Sequence, residues 1–213
     1  MMFEKQSNDQ WGIIKKIGVM IAVLIGTICV TIWLVVVSLP IASVLPLQKF
    51  SIDNSLVLGN LGLKQEFSFS LWVFAVENNS DWSAILDYRH SATKSFAFHQ
   101  KEGENNLFAF GVHAANGVHG TYVHLTPNRW QHVALVKSRS RLAIYVDGIK
   151  ASEKSFDGGF DVAYAGDEML TINGWGYGGR RWLGSVSCVR VFDYPLPHFF
   201  IKLLARDRGC IPH

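Results

Sequence analysis

The chain is 213 residues long, 49% hydrophobic and only 17% charged, with a formal net charge of +3. That length suits one ordinary domain or two small ones, and the composition excludes a disordered chain, which combines low hydrophobicity with high charge. The apolar excess is concentrated in one segment, which sets aside both a multispan transporter and a wholly soluble cytosolic enzyme.

That segment comes first. Residues 17–39 read IGVMIAVLIGTICVTIWLVVVSL, 23 positions without a charge. At the helical rise this spans roughly 34 Å against a hydrocarbon core of about 30 Å, which predicts one transmembrane helix. Lys5, Lys15 and Lys16 stand before it, and only Lys49 follows within a comparable distance. Positive flanks resist translocation, so residues 1–16 are expected in the cytoplasm and the rest on the periplasmic or extracellular side of the cell (inner) membrane. A cleavable signal has an apolar region of about 7 to 15 residues and an A-x-A-like site, and this run fits neither. Gly18, Ala22 and Gly26 recur every fourth position, a face of small residues that lets a second helix approach closely in lipid. The partners expected from this face are the bilayer and other membrane-protein subunits.

Pro40 and Pro46 end the helix and predict an extended linker over residues 40–50. From residue 51 onward the apolar period becomes two. Phe67 to Phe74 carries Phe67, Phe69 and Leu71 on one face. Further strands are predicted at Ala84 to Tyr88, Ser95 to Gln100, Leu107 to His113, Thr121 to Leu125 and Trp130 to Val136. Leu142 to Val146, then Asp147-Gly148, then Ile149 onward reads as a hairpin with a type I′ turn, because Gly accepts the positive φ that turn requires. Met169 to Asn173 and Ser185 to Phe192 complete the strands, and a short helix is predicted from Pro197 to Ala205. Many short strands separated by Gly, Asn and Asp turns imply a sandwich or barrel.

FSFSLWVF, then RWQHVALVKSRSRLAIYVDGI, then LTINGWG with RRWLGSVSCVRVFDYPLP, resemble in order the recurring segments of laminin-G-like, concanavalin-A-like jelly rolls. The resemblance covers about Ser51 to Arg206 and implies an all-β fold, a two-sheet antiparallel jelly-roll sandwich behind one transmembrane α-helix. It departs from the family pattern at Ser187 and Cys188, where two acidic residues often stand. The same sandwich hosts lectins, adhesion modules, glycosidases and structural units, so function must come from a site.

Retaining glycosidases place carboxylates at alternate positions of one strand so that two flank a glycosidic bond about 5 Å apart. No such run occurs, and Glu102 and Glu104 fall in the turn-like KEGENN. His113, His119 and His124 cluster without an acidic or Cys neighbour, a pattern read as surface or hydrogen-bonded histidines and not as a zinc motif. Calcium is used in the superfamily; Asp157, Asp161 and Asp167 offer oxygen ligands of the right kind and are equally ordinary turn residues. No cofactor is otherwise expected.

Asn173 to Trp182 is a Gly-rich loop holding Trp175, Tyr177, Arg180, Arg181 and Trp182. Exposed rings beside fixed donors suit a pyranose, and the same residue types are enriched at protein interfaces. Cys188 and Cys210 are placed to form a disulfide in an oxidising compartment. The basic residues are scattered and form no nucleic-acid stripe. The expected function is a non-catalytic interaction subunit of a larger membrane complex, the alternative a membrane-tethered lectin, with a glycoside hydrolase third.

Overall fold

A computed structural model describes residues 19–28, 42–44, 48–50, 56–76, 83–90, 93–101, 103–104, 106–173 and 182–211. The chain divides into two units, Met1–Leu39 and Pro40–His213. In the first, residues 19–28 are helical and exposed, Ala22 and Gly26 among them, while Gly18 and residues 29–39 lie outside the described residues. Among the described residues no helix is long and apolar enough to cross a membrane.

The second unit is an antiparallel two-sheet sandwich. Its strands in chain order are β1 (Ala42–Val44), β2 (Gln48–Phe50), β3 (Leu56–Gly59), β4 (Phe67–Ala75), β5 (Ser83–His90), β6 (Thr93–Gln100), β7 (Leu107–Ala114), β8 (Gly117–His124), β9 (Trp130–Ser138), β10 (Arg141–Val146), β11 (Ile149–Ser155), β12 (Met169–Ile172) and β13 (Gly184–Phe192). One sheet has the order β1-β13-β4-β9-β10-β11 with β2 also paired to β13, and the other β3-β12-β5-β6-β7-β8. The stretch expected as a linker therefore already contributes two short strands to the sandwich, with Ala42 opposite Val191 and Phe50 opposite Gly184.

Period two explains the layers. On β4, Phe67, Phe69, Leu71 and Val73 point between the sheets and meet Phe96, Phe110 and Leu135 in the main core. The alternate residues Ser68, Ser70 and Trp72 face the other way, yet they too are buried. After β13 the chain turns back over this outer surface and forms a helix, α1 (His198–Leu204), which packs Ile201 onto Ala134, Val136, Ala143 and Phe192 as a second apolar cluster. Ser68 fixes the returning chain: its Oγ accepts from the Leu196 N–H at 2.8 Å and donates to the Tyr194 carbonyl at 2.9 Å. The Asp147-Gly148 turn has φ of 50° and 79°, the two positive values that type I′ requires.

Candidate functional site

β4, β6, β8, β10 and β12 all end at one rim of the sandwich, and their partners start from it. The chain crosses from β8 to β9 there, and its two ends extend the sheets they join: Leu125 N–H donates to the Asn106 carbonyl at 3.0 Å beside β7, and Asn128 N–H to that of Ala75 at 2.7 Å on β4. The Gly-rich loop leaves and re-enters at the same rim through Asn173 and Trp182, but Trp175, Tyr177, Arg180 and Arg181 lie outside the described residues. Trp182 corrects the sequence reading. Its side chain is fully buried in the main core and is not an exposed sugar platform. It shares strand parity with Val186, so period two turns it inward, while Leu183 between them is 41% exposed. The ring lies so close to Gly184 that a Cβ there would be 2.2 Å from it.

An open groove of about 800 Å³ lies between this rim and α1. Trp130, first in β9, supplies aromatic surface and packs against Phe74 with centroids 5.7 Å apart, while Trp72 on the outer face of β4 lies buried at the groove's floor. The Asp147-Gly148 turn forms one wall. The carboxylate of Asp147 accepts from Arg129 at 2.6 Å and from the His132 backbone N–H at 3.0 Å. A Cβ on Gly148 would meet the Lys202 Cα at 3.3 Å, so glycine lets the turn sit directly on α1. His198 Nε2 hydrogen-bonds the Gly148 carbonyl at 2.9 Å and holds the same contact. Lys202 and Arg206 form the opposite wall. Beyond them the chain is fixed by an Arg190–Asp207 pair at 2.7 Å and by a Cys188–Cys210 disulfide. Cys188 has φ of 47° and sits where the β13–β4 register shifts, a bulge that breaks the strand's alternation at the bridge.

Beneath the returning segment, Ser70 Oγ lies 2.9 Å from His132 Nε2. This pairing of a hydroxyl with an imidazole has the outline of an activated nucleophile, but both residues are about 1% exposed and no substrate reaches them. Burial lowers the His132 pKa to about 4; Asp147 acts to raise it and Arg190 to lower it. The imidazole is therefore neutral at physiological pH and ties β4 to β9, where Trp72 and His132 are register partners.

The remaining sequence candidates are dispersed. His119 packs against Phe156 and Phe160, with centroids 4.6 and 4.5 Å away, and bonds Asn116 at 2.8 Å. His124 is exposed opposite Leu107, and His113 stands opposite Val118. Asp157 and Asp161 are exposed, and Asp167 pairs with His90. Among the described residues no group of three or more His, Cys, Asp or Glu is placed to hold a metal ion. Glu102 lies outside the described residues and Glu104 pairs with Lys101. Glu168 is buried, which raises its pKa, but N–H groups of Ala165 and Gly166 and the Ser95 hydroxyl outweigh that and hold its carboxyl below the usual range. It closes a turn.

Sequence reasoning missed Arg129, Trp130, Lys202 and Arg206 as groove residues and saw Asp147 only as a turn residue. No spacing links them, because the groove forms only when the C-terminal segment folds back over the sheet.

A Laminin_G_3 model, described as the concanavalin A-like lectin/glucanases superfamily, matches residues 50–199. Among solved structures, the binding domain of botulinum neurotoxin serotype D is similar over 75% of this chain and 41% of its own, at 11% identity and a TM-score of 0.60. The receptor binding domain of a botulinum neurotoxin C/D mosaic serotype is similar over 74% and 41%, at 11% identity and 0.61. A SAP-like pentraxin from Limulus polyphemus is similar over 70% and 74%, at 16% identity and 0.54. The chain thus covers about two fifths of the toxin chains, and at these identities the likeness is one of fold. No curated protein matches.

Proposed function

The chain belongs to the Laminin_G_3, concanavalin A-like lectin/glucanases superfamily, and from that premise we propose that it is a single-pass, membrane-tethered binding module without catalysis of its own. Residues 17–39 hold it in the membrane, and the sandwich, on the periplasmic or extracellular side, docks onto exported parts of other subunits. The observation that carries this reading is the rim groove. Trp130, Arg129 and Asp147 present an aromatic ring, a fixed cation and a carboxylate at an open surface, the mixture that anchors protein interfaces. The Ser70–His132 hydroxyl–imidazole pair is by contrast sealed.

Purification of the full chain in mild detergent tests this. Wild type is expected to bring down defined partner proteins in fixed ratio. Trp130→Ala and Arg129→Glu lower that recovery at least tenfold, as truncation of interface anchors does. Gly18, Ala22 and Gly26 changed together to Leu are expected to release partners held through the helix face. Recovery unchanged in all variants contradicts the reading. Glycan-array binding by the intact chain that is lost in Trp130→Ala assigns the groove to a tethered lectin instead.

A further inference from the structure

The side of α1 turned away from the sandwich carries apolar side chains that no described residue covers. Phe199 is 63% exposed, Leu203 45% and Ile149 70%. Phe199 and Leu203 are four positions apart and share one helix face. Gly148, next to Ile149, packs on Lys202 and Ala205 of that helix, which brings all three into one neighbourhood. Lys202 and Arg206 are exposed, lie one turn apart and interleave with the apolar residues, and among the described residues neither has an ion-pair partner. The carboxylates on this side are already engaged, Asp147 with Arg129 and Asp207 with Arg190. The surface therefore combines uncompensated positive charge with exposed aromatic and aliphatic groups.

We infer that this face rests on an anionic lipid bilayer, with Phe199, Leu203 and Ile149 in the headgroup layer and Lys202 and Arg206 against lipid phosphates. Exposed Phe and Leu flanked by Lys and Arg combine the two contributions that bind a surface to anionic lipid, buried apolar area and attraction to the lipid charge. Two cations beside three exposed apolar groups match a charged bilayer in both respects, apolar area for the headgroup layer and positive charge for its anionic surface. The inference rests on reading residues 17–39 as an anchor, since a tether keeps the domain at high effective concentration beside lipid and makes a weak contact persistent. Ile149, Lys202 and Arg206 also line the rim groove, so the lipid contact borders the partner site at Trp130 and Arg129.

The test is hydrogen exchange on the full chain in nanodiscs of phosphatidylcholine alone, or with phosphatidylglycerol, and in detergent. Amides of His198–Leu204 are expected to exchange roughly tenfold more slowly on the anionic discs than in the other two settings, given what two surface cations contribute near anionic lipid. Lys202→Glu with Arg206→Glu, at exposed positions, removes that difference, and Phe199→Ser with Leu203→Ser reduces it. Equal exchange in all three settings overturns the inference, as does protection that survives the double charge reversal. Slowing by a soluble acidic polysaccharide on neutral discs, with none from anionic lipid, assigns the face to a glycan. Failure of the chain to enter discs at all refutes the anchor, and exchange against preformed anionic vesicles then decides the docking separately.

Discussion

His132 shows how one buried side chain couples this fold to pH. In an unfolded chain an imidazole takes a proton near pH 6.5, and in the fold only at about 4, chiefly because it is buried. Between those values the unfolded chain binds more protons. Stability is therefore complete above about pH 6.5 and declines as the pH falls through this window, by about 3 kcal/mol at its foot. Urea midpoints measured at pH 7 and pH 4.5 should differ accordingly, and His132→Gln should remove most of the difference. Gly184 makes a second prediction at this scale. A Cβ there would lie 2.2 Å from the Trp182 ring and 2.6 Å from the Phe74 carbonyl. Because one contact is backbone, neither side can yield cheaply, and Gly184→Ala is expected to cost about 3 kcal/mol with a matching fall in thermal midpoint. An unchanged midpoint would mean that the ring does not fill the rim.

At the level of elements, α1 is the part whose position is bought least by its own length. It has seven residues, no side-chain cap at its start and one fully buried side chain, Ile201, so an isolated helix of this size would not form. Its place is set by Ser68, by the Arg190–Asp207 pair and by the Cys188–Cys210 bridge. Replacing both cysteines with Ser is expected to cost about 3 kcal/mol from the loop of 22 positions that the bridge closes, read as a lower denaturant midpoint under oxidising conditions and no change under reducing ones. This scale also shows what the sequence could reveal. β4, which alternates at its start, and β9, β10 and β13 are runs of apolar, aromatic and β-branched residues between turn residues, and their limits fall within a residue or two of those runs. β1 and β2 were illegible because each has three residues and is defined by its partner β13 rather than by any pattern of its own. Trp182 was misread because Gly and Arg neighbours suggest a loop surface, whereas strand parity carries it inward.

For the whole molecule, the two features that the proposed function uses lie at different depths in the sequence. The 23-residue apolar run is visible in one reading of residues 17–39. The groove is not, because Trp72, Trp130, Asp147 and Lys202 are distant in the chain and meet only after the C-terminal segment crosses the outer sheet face. On the function proposed above, both belong to one design, a tethered sandwich with an open rim beside a basic, apolar helix face. The most direct test of that design is a photo-crosslinking residue placed at position 130 in the full chain in native membranes, with a matched probe at Val118, which is 67% exposed on the first turn-proximal stretch of β8 at the opposite rim. Discrete adducts to other membrane proteins are expected from position 130 alone, and Arg129→Glu should abolish them. Identical adduct patterns from both positions, or none from either, would contradict the assignment of the rim groove as a binding site.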